Sequence, residues 1–101
     1  MAKTMKFGSY NATRRDTDYS RIDWTFIRED GSTVVVWYNF DTRDWVVALE
    51  CDGGQCGTSD YVARKSDVRY SINFVSHDID CEGPQAEAER AARRARYSNP
   101  A

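Results

Sequence analysis

The sequence predicts an α+β domain: an antiparallel β-meander of four to five strands followed by one C-terminal α-helix. Three observations carry this. Residues 20–51 contain runs in which apolar side chains alternate, the period of a half-buried strand. Asp30-Gly31 separates two of those runs, and an Asp-Gly pair suits the φ > 0 positions of a tight hairpin turn. Residues 84–97 are built mainly from Ala, Glu and Arg, strong helix formers, with Pro84 in the first turn.

At 101 residues the chain is the size of one domain, read here as 1–101. Its 41% hydrophobic and 13% aromatic content exceeds what a disordered chain carries, so a buried core is expected. No run of about 18 apolar residues occurs, so no membrane span is expected. The N-terminal residues show no apolar signal region, and three cysteines are an odd number for a disulfide scaffold. The expected setting is therefore the cytoplasm of a bacterium or an infected host cell.

In chain order, residues 1–19 read as an N-terminal strand, about Lys3 to Phe7, and a polar loop. Residues 20–51 form a three-stranded meander. Residues 52–68 read as a loop or a short helix that Asp60 could cap. Residues 69–76 read as a strand with Tyr70, Ile72 and Phe74 on one side. In the final helix Glu87 and Glu89 precede the arginines, as the helix dipole favours, and Glu89 and Arg93 are spaced to pair.

A two-residue turn at Asp30-Gly31 would set Phe26 opposite Val35 and Trp24 opposite Trp37, and the next turn would set Phe40 opposite Trp45. One sheet face would then carry Trp24, Phe26, Val35, Trp37 and Ala48, and the other Ile27, Val34, Val36, Tyr38, Phe40, Trp45 and Leu49. Both faces are apolar, yet one helix with an alanine stripe (Ala88, Ala91, Ala92, Ala95) covers only one of them. An uncovered apolar face marks an interaction site. The expected function is thus a small non-enzymatic protein-binding module, with a protein partner or a homodimer as its contact. Trp24, Trp37, Tyr38, Phe40 and Trp45 are the contact candidates, because Trp and Tyr dominate interface hot spots. Arg90, Arg93, Arg94 and Arg96 would supply a charged rim. Short chains of this kind are often encoded by phages or mobile elements and inhibit a host complex by contact, including complexes of host defence. An inhibitor without a cofactor is the corresponding expectation.

Two alternatives come from other residues. Cys51, Cys56, His77 and Cys81 form a Cys-x4-Cys, His-x3-Cys pattern, a donor set that zinc takes in structural sites. If Cys51 and His77 ended neighbouring antiparallel strands they would lie roughly 20 Å apart. Zinc therefore requires that the chain fold back. The arginine helix could bind phosphates of nucleic acid, although the net charge of −2 offers no basic excess. Asp78, Asp80 and Glu82 alternate and could gather around a hard cation, but the glycine and terminal glutamate of a calcium loop are missing. No nucleophile–base signature and no phosphate-binding glycine loop appear, so no catalytic residue is assigned.

Overall fold

The computed structural model describes residues 3–17, 21–51 and 54–98. Among them, six strands form one antiparallel sheet in strict chain order: β1 (Thr4–Phe7), β2 (Tyr10–Asp16), β3 (Ile22–Ile27), β4 (Thr33–Asn39), β5 (Asp44–Cys51) and β6 (Gly54–Val62). A 3-10 turn (Lys65–Asp67), a short helix α1 (Val68–Ser71) and the long helix α2 (Pro84–Ser98) follow. This is the expected α+β meander with a C-terminal helix, carrying six strands instead of four to five.

The extra strands come from segments too polar to show an apolar alternation. Gly8, at φ 63, turns the chain so that Tyr10–Asp16 folds back on β1 where a polar loop was expected. Inward Ala12 is buried, while Asn11, Thr13 and Arg15 alternate with it. Likewise Gly54–Val62 pairs with β5 instead of forming a loop or helix. Asp60 caps nothing there; its carboxylate accepts the Ser71 hydroxyl. Residues 18–20, 52 and 53 lie outside the described residues.

The expected strand at 69–76 is helical and turn structure. Val68, Ile72 and Val75 are buried at i, i+4 and i+7, whereas Tyr70 is 58% and Phe74 76% exposed. The alternation of Tyr70, Ile72 and Phe74 concealed this helical spacing. Val68, Ile72 and Val75 join Phe7, Ala12, Phe26, Val34, Val36, Val47 and Leu49 in the core. The core face of the sheet is thus covered by residues 65–75 and not by α2.

Register corrects the two-face expectation. Arg28 and Ser32 close a three-residue loop, with the Arg28 N–H donating to Ser32 O (2.9 Å) and the Gly31 N–H to Arg28 O (2.9 Å). Gly31 takes φ 89, as the third position of such a loop needs. Trp24 therefore pairs with Val36 and Phe26 with Val34. One residue of slip carries all of β3 to the other face. The next turn differs by an even count, pairing Tyr38 with Trp45 and Val36 with Val47, so β4 and β5 keep their grouping. The face opposite the core then holds Asp23 among Val35, Val46 and Ala48. Arg15 bridges from β2 to Asp23 (3.0 Å) and Glu50 (2.7 Å), and Arg21 lies 4.1 Å over the Trp37 ring. The chain lays its own charged layer across this face.

The buried Arg28 clamps the end of α1, donating to Ile72 O (2.8 Å) and Val75 O (2.7 Å) and pairing with Asp30 (2.8 Å). Ile72 is the C-cap of α1, where a helix end leaves carbonyls unsatisfied, and the Val75 carbonyl lies just past the turn that follows. Burial alone would raise Asp30, but Arg28 and the Ser32 N–H outweigh it and hold the carboxyl at about 2. Helix α2 buries little: of its described apolar residues only Ala86 is fully buried, and Ala88, Ala91 and Ala95 are exposed. The alanine stripe does not cover the sheet.

The helical reading of 68–75 has a direct check. In denaturant unfolding, Ile72→Ala should cost about 2–5 kcal/mol, as for a filled core site. Phe74→Ala should stay within about 0.5 kcal/mol. Similar costs at both positions would favour the strand.

Candidate metal centre

The cluster begins with strand alternation. Leu49 faces the core, so Cys51, two residues on, faces the same side at the end of β5. Opposite, Ala48 pairs with Ser59 but Leu49 with Cys56, so β6 accommodates two extra residues, Gly57 and Thr58, as a bulge. Gly57 has φ 74, and a Cβ there would lie 1.9 Å from Ser76 O and 2.7 Å from Asp78 N. Only glycine allows the returning chain so close. The bulge also holds that chain, because the Thr58 N–H donates to Ser76 O (3.0 Å) and the Ser76 N–H to Thr58 Oγ1 (3.0 Å). This is the folding back that the zinc pattern required: His77 ends no strand but follows a segment laid against β6.

The donors converge. His77 Nδ1 lies 3.2 Å from Cys51 Sγ, and Cys51 Sγ lies 3.6 Å from Cys81 Sγ. The ligand atoms of Cys51, Cys56, His77 and Cys81 all lie within 4.8 Å of one another. Sulfurs at about 2.3 Å from a tetrahedral zinc would sit about 3.8 Å apart, close to the separation found. Cys81 is placed by a turn in which its N–H donates to Asp78 O (3.0 Å). The Asp78 N–H points at Cys56 Sγ (3.5 Å). His77 Nε2 meets the buried Ser32 hydroxyl at 3.1 Å, which orients the ring and leaves Nδ1 for the cluster.

Electrostatics set what the cluster can do. Burial, then hydrogen bonds to Cys81 and Cys56, push the Cys51 thiol up to about 12. The Gly83 N–H, then the Cys51 thiol, pull Cys81 down. Burial lowers His77, against the pull of Glu89, so its imidazole is neutral at neutral pH, the form a metal takes. Three sulfurs and one imidazole form a soft donor set suited to zinc, and four protein donors leave no open position for a substrate.

Among the described residues this is the single group of three or more Cys, His, Asp or Glu side chains placed to hold a metal. Asp78, Asp80 and Glu82 are exposed, and their segment is a turn in which the Asp80 N–H binds Asp78 Oδ1. Of the contact candidates, Trp24, Trp37, Tyr38 and Phe40 line one cleft of about 520 Å³ with Arg21, Ile22, Asn39 and Asp41. Trp45 is not part of it: its ring packs on Phe7 (6.0 Å) and Tyr38 (5.3 Å) at the core edge. None of the α2 arginines lines this cleft. Arg90 pairs with Glu87 and binds main-chain oxygens of Asp78 and Ile79, and Arg93 pairs with Glu89; Arg94 and Arg96 are exposed.

Sequence reasoning missed Gly57, Ser32 and Glu89. Gly57 directly follows a candidate ligand, which was a usable signal for a close approach. Ser32 and Glu89 are polar residues buried from distant segments, and nothing local marked them.

No protein-family model matches this chain, and no curated protein or solved structure matches it either.

The close approach at Gly57 is testable. Gly57→Ala should abolish stoichiometric zinc uptake, read by native mass spectrometry, while Gly31→Ala, in a hairpin with open space around it, should retain it. Zinc retained by both variants would mean that the bulge does not position the ligands.

Proposed function

We propose that Cys51, Cys56, Cys81 and Nδ1 of His77 hold a structural zinc ion, and that the domain so stabilised is a non-enzymatic protein-binding module. The convergence of four soft donors within 4.8 Å carries the zinc reading. Three of the four donors also have a supporting neighbour: Ser32 for His77, the Asp78 N–H for Cys56, and the Gly83 N–H for Cys81. Zinc would join the β5–β6 end to the 76–83 segment, which little apolar burial otherwise holds. The binding reading rests on the cleft of Trp24, Trp37, Tyr38 and Phe40, where Phe40 is 83% exposed beside Tyr38 at 4.9 Å. An exposed Phe40 grouped with half-buried Trp24, Trp37 and Tyr38 in one cleft suits a protein contact.

The test is the intact mass of the purified protein under native conditions. One zinc per chain is expected, lost on chelation and lost in Cys51→Ser. Chelation should lower the melting temperature by about 10 °C, equivalent to roughly 2 kcal/mol for a domain of this size. Because the Cys51 thiol is held protonated near neutral pH, zinc uptake must expel protons, and apparent affinity should rise with pH. A metal-free chain in excess zinc contradicts the zinc reading. The same spectrum separates monomer from dimer, and so decides whether the module meets itself or another protein.

A further inference from the structure

We infer that metal occupancy of the Cys51, Cys56, His77 and Cys81 cluster governs whether helix α2 stays docked, with Glu89 as the positioning residue that carries the coupling. The inference rests on the zinc reading and assigns that site a regulated element.

Helix α2 has almost no apolar anchor, since Ala86 alone is fully buried among its described apolar residues. Polar contacts hold it instead. Gln85 Oε1 accepts the Thr33 N–H (2.6 Å) from the start of β4. Glu89 Oε2 accepts the His77 N–H (2.9 Å). Arg90 donates to Ile79 O (2.9 Å) and Asp78 O (3.2 Å). Two of these three anchors end on the main chain of residues 77–79, the stretch bracketed by the ligands His77 and Cys81.

Glu89 is the centre of the arrangement. It is 4% exposed although it lies on a charged helix. Its other oxygen faces Arg93 (3.1 Å) and the buried Arg28 (3.4 Å), which clamps α1. A buried carboxylate is tolerated only while its partners stay in place. If the ligand loop loosens, Glu89 loses the His77 N–H and Arg90 loses both carbonyls, and Gln85, one alanine and the longer Glu89–Arg28 ion pair (3.4 Å) are left to hold 15 residues. A helix of that length is marginal in water without docking. Loss of metal should therefore release and fray α2 while the sheet core, which α2 does not cover, stays folded. Linkage makes the coupling reciprocal, so weakening the helix contacts must weaken metal binding.

The experiment is residue-level hydrogen exchange on the full chain, with zinc content read in parallel. In the zinc-loaded protein, amides of α2 and of residues 77–81 should be protected. Chelation should speed their exchange at least tenfold and leave β4 and β5 amides within about threefold. Glu89→Ala and the milder surface change Arg90→Ala should each speed α2 exchange with zinc still bound, and weaken zinc by roughly tenfold, the usual scale for a residue supporting a ligand. Zinc that leaves with α2 exchange unchanged would overturn the coupling while keeping the zinc site. A uniform rise across β4 and β5 would overturn it too, since the metal would then support the whole fold. A chain that never takes zinc would refute the zinc reading itself, and the parallel zinc content identifies that case.

Discussion

One close approach between main chains organises the functional end of this molecule. Residues 76–78 lie directly on the β6 bulge because position 57 has no side chain. Without that approach, His77 would stay on the far side of the segment that follows α1, and Cys51 would end its strand without a partner. With it, two strand ends and a returning loop place three thiols and an imidazole within tetrahedral reach. The bulge that makes room also supplies Thr58, which binds Ser76 in both directions.

Around this contact the protein uses buried polar groups where a larger domain would use apolar area. Arg28 ties the β3–β4 hairpin to the carbonyls that close α1. Ser32, from the same hairpin, orients His77, and Glu89 reaches the His77 main chain from α2. Three segments far apart in sequence thus meet at one histidine. Such networks are stabilising only when each member is satisfied, and no described buried side-chain nitrogen or oxygen lacks a partner. The apolar core lies on one face, and the Arg15, Arg21, Asp23 and Glu50 network crosses the other. A thin domain stays ordered through this division.

Legibility in the sequence followed the period and polarity of each segment. Strands β3 to β5 and helix α2 were readable because Val34–Tyr38 and the Ala/Glu/Arg run carry strong local patterns. Strands β2 and β6 were not, because both are mostly polar and their few apolar inward residues, such as Tyr10, Ala12 and Val62, are interrupted by Arg14 and Asp60. The 68–75 segment misled because Tyr70 and Phe74 are exposed aromatics that imitate alternation around the buried Ile72. The turn at Glu29-Asp30-Gly31 shifted the register by one, and with it the faces of β3. The ligand set was legible as residue types at workable spacing. Its geometry was not, since it depends on a bulge and a turn that leave no periodic trace.

The central claim is that four identified side chains form one tetrahedral metal centre. X-ray absorption at the zinc edge of the zinc-loaded chain tests it most directly. The expected first shell is three sulfurs near 2.3 Å and one imidazole nitrogen near 2.0–2.1 Å, with no oxygen. In a His77→Ala variant the nitrogen should be replaced by an oxygen from water while the sulfurs remain. A first shell of oxygens in the unmodified protein, or a nitrogen signal that survives His77→Ala, would contradict the assignment.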